Sequence, residues 1–190
     1  LGDVYKRQNQ SSTCSSALSR TASVISLTGI KKDMFAIVEF LLEHHGFVAS
    51  CLRTNIVKKE DVEVGPTGFR RARVMSNLVG HTKVEDKLLR KALEAIAPEW
   101  WGDDTMITVN KNVVCEPHRD GNNAAESWIC FLGDFTGGEL VFEDGTEISE
   151  PRKWHSIKAN QLLHWNKPIL SGTKYSVILY KRARRPGLKK

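Results

Sequence analysis

The stretch Ser127-Trp128-Ile129-Cys130-Phe131-Leu132-Gly133-Asp134-Phe135-Thr136-Gly137-Gly138-Glu139-Leu140-Val141-Phe142-Glu143-Asp144-Gly145 decides the fold class. Its apolar runs, Ser127–Leu132 and Glu139–Glu143, are too short for helices. They are punctuated by Gly133-Asp134, Gly137-Gly138 and Asp144-Gly145, which are turn-formers, so the runs read as strands. The same rhythm continues outward. Thr105–Cys115 lies upstream across Gly121-Asn122-Asn123, and Arg152–Ala159, Leu162–Asn166 and Lys174–Lys181 follow, the last two parted by Ser171-Gly172. Short strands at this spacing predict a sandwich or barrel.

Upstream the period changes. Met34, Ile37, Val38, Leu41 and Leu42 recur at three- and four-residue intervals, predicting a helix over Lys31–His45 that Gly46 ends. His44 and His45 fall at its C-terminus, where the helix dipole favours a cationic imidazole, and they are read as caps rather than ligands. Lys83–Ala97 reads as a second amphipathic helix through Val84, Leu88, Leu89, Ala92, Leu93 and Ile96, stopped by Pro98. Between them Val62–Val64 reads as a strand before the turn Gly65-Pro66-Thr67-Gly68, and Phe69–Val79 as a strand or irregular segment. Two helices before a run of strands make an α+β chain, with the helices expected on one outer face of the β core.

Composition narrows the function classes. At 190 residues one domain is expected, large enough for a sizeable core. The four Cys are scattered without a Cys-x-x-Cys, so neither a disulfide framework nor a structural zinc site is indicated and a reducing, intracellular compartment is expected. No run of 18 apolar residues and no signal-peptide pattern appears, so no membrane association is expected. The net charge of +6 is concentrated in Lys181–Lys190 and in the knot Arg70, Arg71, Arg73, a distribution suited to a polyanion. Asn9–Thr28 is Ser- and Thr-rich and too polar to nucleate a core. The chain starts at Leu1, and residues 1–8 resemble translated adapter read-through.

The chemistry gathers after the first long strand, in Val113-Val114-Cys115-Glu116-Pro117-His118-Arg119-Asp120-Gly121-Asn122-Asn123. In extended chain His118 and Asp120 point the same way and can grip one ion. Chance alone supplies about 0.7 His-x-acid pairs in a chain of this composition, so the pair needs a third ligand to carry weight. His155 and His164 are the candidates. His155 fits an alternating segment as a core or edge histidine, whereas His164 ends an apolar strand, where a barrel mouth would lie, and is preferred. Two His and one carboxylate form the facial triad of non-haem Fe(II) sites, which keeps coordination positions open. Ten residues on, Lys174, Ser176, Ile178 and Tyr180 share one strand face. A buried Lys there calls for an anionic ligand.

His118-x-Asp120, then His164, then Lys174-x-Ser176 resembles the 2-oxoglutarate- and Fe(II)-dependent dioxygenases. That resemblance implies a double-stranded β-helix (jelly-roll, cupin-like) core. It implies Fe(II) held by His118, Asp120 and His164, with 2-oxoglutarate and O₂ as co-substrates and the distal carboxylate of 2-oxoglutarate on Lys174 and Ser176. Most members with this spacing carry Arg where this chain has Lys174, a point charge rather than a fork. More narrowly, His118-Arg119-Asp120-Gly121-Asn122-Asn123, Ser127-Trp128 and Gly133-Asp134-Phe135-Thr136-Gly137-Gly138-Glu139-Leu140 are similar to the TET/JBP branch, which oxidises the 5-methyl group of cytosine or thymine in DNA. The Cys-rich zinc region of animal members is missing, as in a minimal algal, fungal or viral relative.

By that resemblance the substrate is methylated duplex DNA with the target base flipped out. 5-Methylcytosine is favoured over thymine, and the product is a 5-hydroxymethylpyrimidine. Asn123 is then expected to hydrogen-bond the base and Tyr180 to stack on it, with Arg182 where animal members place a base-contacting His. Arg73, with Arg70 and Arg71, is expected on phosphates or on the C1 carboxylate of 2-oxoglutarate. The expected organisation is a flexible segment 1–28, a dioxygenase domain 29–182 and a basic tail 183–190, acting as a monomer, in the nucleus if the source is eukaryotic and otherwise in the cytoplasm. The alternatives are a prolyl, lysyl or asparaginyl hydroxylase of the same fold, or a non-catalytic DNA-binding module.

Overall fold

Val38 and Leu42, one helical turn apart and fully buried, anchor helix α1 (34–44), while Ile37, on the expected apolar face, is 46% exposed. In α2 (Lys87–Ile96) the buried set is Leu89, Ala92, Leu93 and Ile96, spaced to line one face, and Leu88 points outward. In this computed structural model the described residues are 34–47, 62–64, 70–72, 76–80 and 87–183. The expected flexible segment 1–28, Arg73, and residues 184–190 of the basic tail lie outside them.

The described strands are β1 (Val62–Val64), β2 (Arg70–Ala72), β3 (Ser76–Gly80), β4 (Met106–Lys111), β5 (Ser127–Leu132), β6 (Phe135–Gly137), β7 (Leu140–Phe142), β8 (Glu147–Ile148), β9 (Trp154–Ile157), β10 (His164–Asn166), β11 (Ile169–Gly172) and β12 (Tyr175–Tyr180). β1 pairs only with β2 among them; β6 pairs with β11. The larger sheet runs β3-β4-β12-β5-β9 and the smaller one β10-β7-β8, with antiparallel pairing in both. His118 bridges to His164, adding the 116–118 segment beside β10. Numbering β4 as the first strand, the 116–118 segment as the second and then β5, β7, β8, β9, β10 and β12 gives sheets ordered 1-8-3-6 and 2-7-4-5. That order is the double-stranded β-helix, or jelly roll.

Alternation assigns the two faces. On β12, Tyr175, Val177 and Leu179 join Ile107, Val109, Cys130 and Leu132 in a cluster with the buried residues of α1 and α2, so the helices cover the outer face of the larger sheet. The opposite face meets the smaller sheet. There Ile129, Phe131, Leu140, Phe142, Ile148, Ile157 and Ala159 form the barrel interior, against which Ile178 packs. The strand predicted over Thr105–Cys115 ends sooner, at Lys111, because Asn112 takes φ +53° and turns the chain out of the sheet.

Candidate metal centre

After Asn112 the chain recrosses the barrel to Pro117, whose ring keeps the preceding residue extended and delivers His118 to the edge of β10. There His118 and His164 exchange two backbone hydrogen bonds, each 3.0 Å. A pair of this kind sets both side chains on one face, and the imidazole centroids lie 4.3 Å apart. Asp120 is fixed by its own N–H, which donates to the Ala159 carbonyl (2.8 Å), and by its carbonyl, which accepts from Asn123 N–H (2.9 Å). Its Oδ1 stands 3.7 Å from His118 Nε2.

His118, Asp120 and His164 thus each offer one ligand atom, all within 4.8 Å of one another. Both imidazoles are oriented for ligation. His118 Nδ1 donates to the Glu116 carbonyl (2.8 Å) and His164 Nδ1 to the Leu162 carbonyl (3.1 Å). A carbonyl oxygen only accepts, so each Nδ1 carries the proton and each Nε2 keeps a lone pair for a metal, the arrangement of metal-binding histidines. Two nitrogens and one carboxylate oxygen suit a first-row divalent ion and leave positions open. The Phe142 ring backs His164 at 5.6 Å. Phe142 also floors a cleft of about 390 Å³ between the edges of β8 and β9, with Ile148, Ile157 and Leu162.

His155 is not in the cluster. It faces Ile129 across β9 and β5, and burial lowers its pKa. His44 donates from Nδ1 to the Phe40 carbonyl (2.8 Å), a helix-end contact of the expected kind. Cys115 and Cys130 are buried and not disulfide-bonded, and burial pushes the Cys130 thiol up to about 12, so it packs rather than reacts.

Lys174 is 1% exposed, on the interior side of the larger sheet with Ser176, itself buried. Its ammonium donates to the Gly138 carbonyl and lies 3.9 Å from the Phe131 ring centroid and 5.6 Å from that of Phe135. Burial lowers its pKa from the usual 10.5 to about 8, with Glu139 opposing. Asn112 holds the backbone there: its Oδ1 accepts Lys174 N–H and its N–H donates to the Lys174 carbonyl, both at 2.8 Å. Phe131, beneath Lys174, and Phe142, beneath His164, belong to one apolar cluster, so cation and trio line one interior.

Asn123 is buried, and its Nδ2 donates to Ser127 Oγ at 3.0 Å. It bridges to exposed Arg182, and Tyr180, half-buried, ends β12 beside them. Several contributors have no individual sequence signature. The Gly138 carbonyl, the Phe131, Phe135 and Phe142 walls and Asn112 are defined only by strand pairing. Arg119 is another: its Nη2 meets Glu143 Oε1 at 2.7 Å. The Leu163 N–H first, then Arg119, holds the Glu143 carboxyl below the usual range.

No protein-family model and no curated protein matches the chain. Among solved structures it is similar to NgTET1 in complex with 5mC DNA, at 20% identity and a TM-score of 0.38, covering 40% of this chain and 33% of that one. The viral collagen prolyl hydroxylase of Paramecium Bursaria Chlorella virus-1, solved as a 2OG complex, is 18% identical at a TM-score of 0.38, over 60% of this chain and 82% of that one. A Pseudomonas putida prolyl-4-hydroxylase is 15% identical at a TM-score of 0.39, over 79% of this chain and all of that one. Likenesses of this size add nothing to what the strand order and the trio show.

Proposed function

We propose that this chain is a 2-oxoglutarate- and Fe(II)-dependent dioxygenase acting on the 5-methyl group of a pyrimidine base in DNA, 5-methylcytosine before thymine. The observation that carries the dioxygenase reading is the His118, Asp120 and His164 trio sharing one barrel interior with the buried cation of Lys174. His118 Nε2, His164 Nε2 and an Asp120 carboxylate oxygen would hold Fe(II). Bound together, Fe(II), 2-oxoglutarate and O₂ supply the oxidising chemistry: one oxygen atom goes to the substrate C–H and the other to succinate, with CO₂ released. Lys174 and Ser176 bind the distal carboxylate, and an anion there relieves the cost of a buried ammonium. The Phe131, Phe135 and Phe142 rings keep water from the interior.

The DNA reading draws on the mouth. Asn123 follows Asp120 within the same turn, Arg182 lies beside it, Tyr180 supplies an aromatic face, and the net charge of +6 suits phosphate. With its amide nitrogen on Ser127, Asn123 offers its carbonyl oxygen to a base-edge donor. The same Ser127 bond favours the second reading, a protein side-chain hydroxylase, because it gives the Asn123 amide a structural task. Incubation with methylated duplex DNA, Fe(II) and 2-oxoglutarate, then digestion and mass spectrometry of the nucleosides, decides between them. A +16 Da nucleoside is expected. Succinate formed with a prolyl, lysyl or asparaginyl peptide and not with DNA would establish the second reading. Absence of succinate with both would leave the non-catalytic module.

A further inference from the structure

We infer that Arg119 and Glu143 form a positioning latch that holds the two ligand-bearing segments together from outside the barrel. This inference rests on the metal-site reading above. Arg119 lies between ligands His118 and Asp120, but its side chain leaves the site. Its Nε donates to the Gln161 carbonyl at 2.8 Å, and its Nη2 to Glu143 Oε1 and Oε2 at 2.7 and 2.9 Å. Glu143, just past β7, grips the residue before the third ligand twice: its Oε1 accepts Leu163 N–H at 2.9 Å, and its own N–H donates to the Leu163 carbonyl at 2.9 Å. One guanidinium therefore ties the His118–Asp120 turn to 161–163, and one carboxylate ties that same segment to β7.

The trio gains from such a tie because its ligands come from two stretches far apart in sequence, joined by the bridged His118–His164 pair and by single backbone hydrogen bonds to either side, Asn166 N–H to the Cys115 carbonyl (3.1 Å) and Asp120 N–H to the Ala159 carbonyl (2.8 Å). These pairings fix the backbones, whereas ligand atoms at the ends of side chains must be held to within about 0.5 Å to bind one ion tightly. The Arg119 and Glu143 side chains are 49% and 37% exposed, so the ion pair adds little to global stability. Its effect falls on ligand geometry, and partners that orient ligands change metal affinity by roughly 10- to 100-fold.

The test is a Co(II) absorption titration of the metal-stripped protein, with thermal melts of the same samples without metal. Arg119→Ala and Glu143→Gln are each expected to weaken Co(II) binding at least tenfold with melts within a few degrees of the parent. The double variant should lose no more than either single change, and Arg119→Lys, which cannot reach Gln161 and Glu143 together, should recover only part of the loss. Affinity within twofold of the parent in Arg119→Ala overturns the latch while leaving the metal site intact. A melt lowered by ten degrees or more overturns it as a positioning device, since the pair would then serve folding. A parent that binds no Co(II) overturns the metal-site reading and the latch with it.

Discussion

The Lys174 ammonium has the Gly138 carbonyl and two phenylalanine rings around it and about 8 as its pKa, against an ordinary 10.5. The folded protein therefore holds this proton less tightly than the unfolded chain. The penalty is present in full below about pH 8 and is relieved as pH rises toward 10.5, worth about 1.4 kcal/mol per pH unit inside that window. Urea midpoints of the ligand-free protein should rise between pH 7.5 and 9.5 relative to those of Lys174→Met. Binding of a dianion needs the charged form, so calorimetric affinity for 2-oxoglutarate should fall roughly tenfold per pH unit above about 8. Lys174→Met should abolish that binding at every pH. Gly138 makes the contact possible. It takes φ +72°, and a Cβ there would lie 2.9 Å from Ile169 Cγ1 and 3.1 Å from Lys174 Cδ. Gly138→Ala should cost about 1–3 kcal/mol in urea melts and weaken 2-oxoglutarate binding without changing Co(II) affinity. In the sequence, Gly137-Gly138 reads equally well as a hairpin turn. The ligands stand out because His-x-Asp is a local pattern, whereas the carbonyl that meets Lys174 depends on β6 folding back onto β11.

At the scale of elements, strand positions followed from alternation and turn residues, and β5, β7, β10 and β12 lie within the predicted runs. What alternation cannot carry is pairing. β6, β8 and β11 are two to four residues long, too short to show a period, and their existence depends on partners distant in the chain. The seat of α1 is likewise invisible in its apolar spacing. Glu39, on its polar face, accepts from Arg152 at 2.6 Å and from Gly133 N–H at 3.1 Å, clamping the helix to the β5–β6 turn. Glu39→Ala leaves a backbone N–H and a guanidinium without their carboxylate. It should destabilise the protein by about 1–3 kcal/mol in urea and leave the Co(II) spectrum unchanged, because α1 packs on the far side of the larger sheet from the trio.

Over the whole molecule, helices before a run of short strands read as far as a sandwich or barrel under a helical cover, the jelly roll itself came from the motif resemblance, and the two helices supply the apolar cover of the larger sheet. The site was legible as a set of residue types but not as a geometry, since the His118 to His164 bridge joins segments separated by most of the barrel. Charge is the remaining whole-chain property, and it tests the proposed partner. Lys181 is engaged by Asp104 at 2.9 Å and by the Trp100 ring at 5.0 Å, so its charge is partly neutralised within the fold. Beyond Ala183 the chain adds Arg184, Arg185, Lys189 and Lys190 with no acidic residue. If DNA is the partner and these four meet phosphates, ending the chain at Ala183 should flatten the slope of log affinity against log salt by up to about 3.6, since each phosphate left unneutralised accounts for about 0.9. Fluorescence anisotropy with a methylated duplex between 50 and 200 mM salt measures it. Turnover at saturating short duplex should be unchanged, because none of the removed residues is among those assigned to metal, co-substrate or base. An unaltered slope would place phosphate recognition on the folded domain, and a parent chain with no salt-dependent affinity would leave the DNA reading without its electrostatic basis.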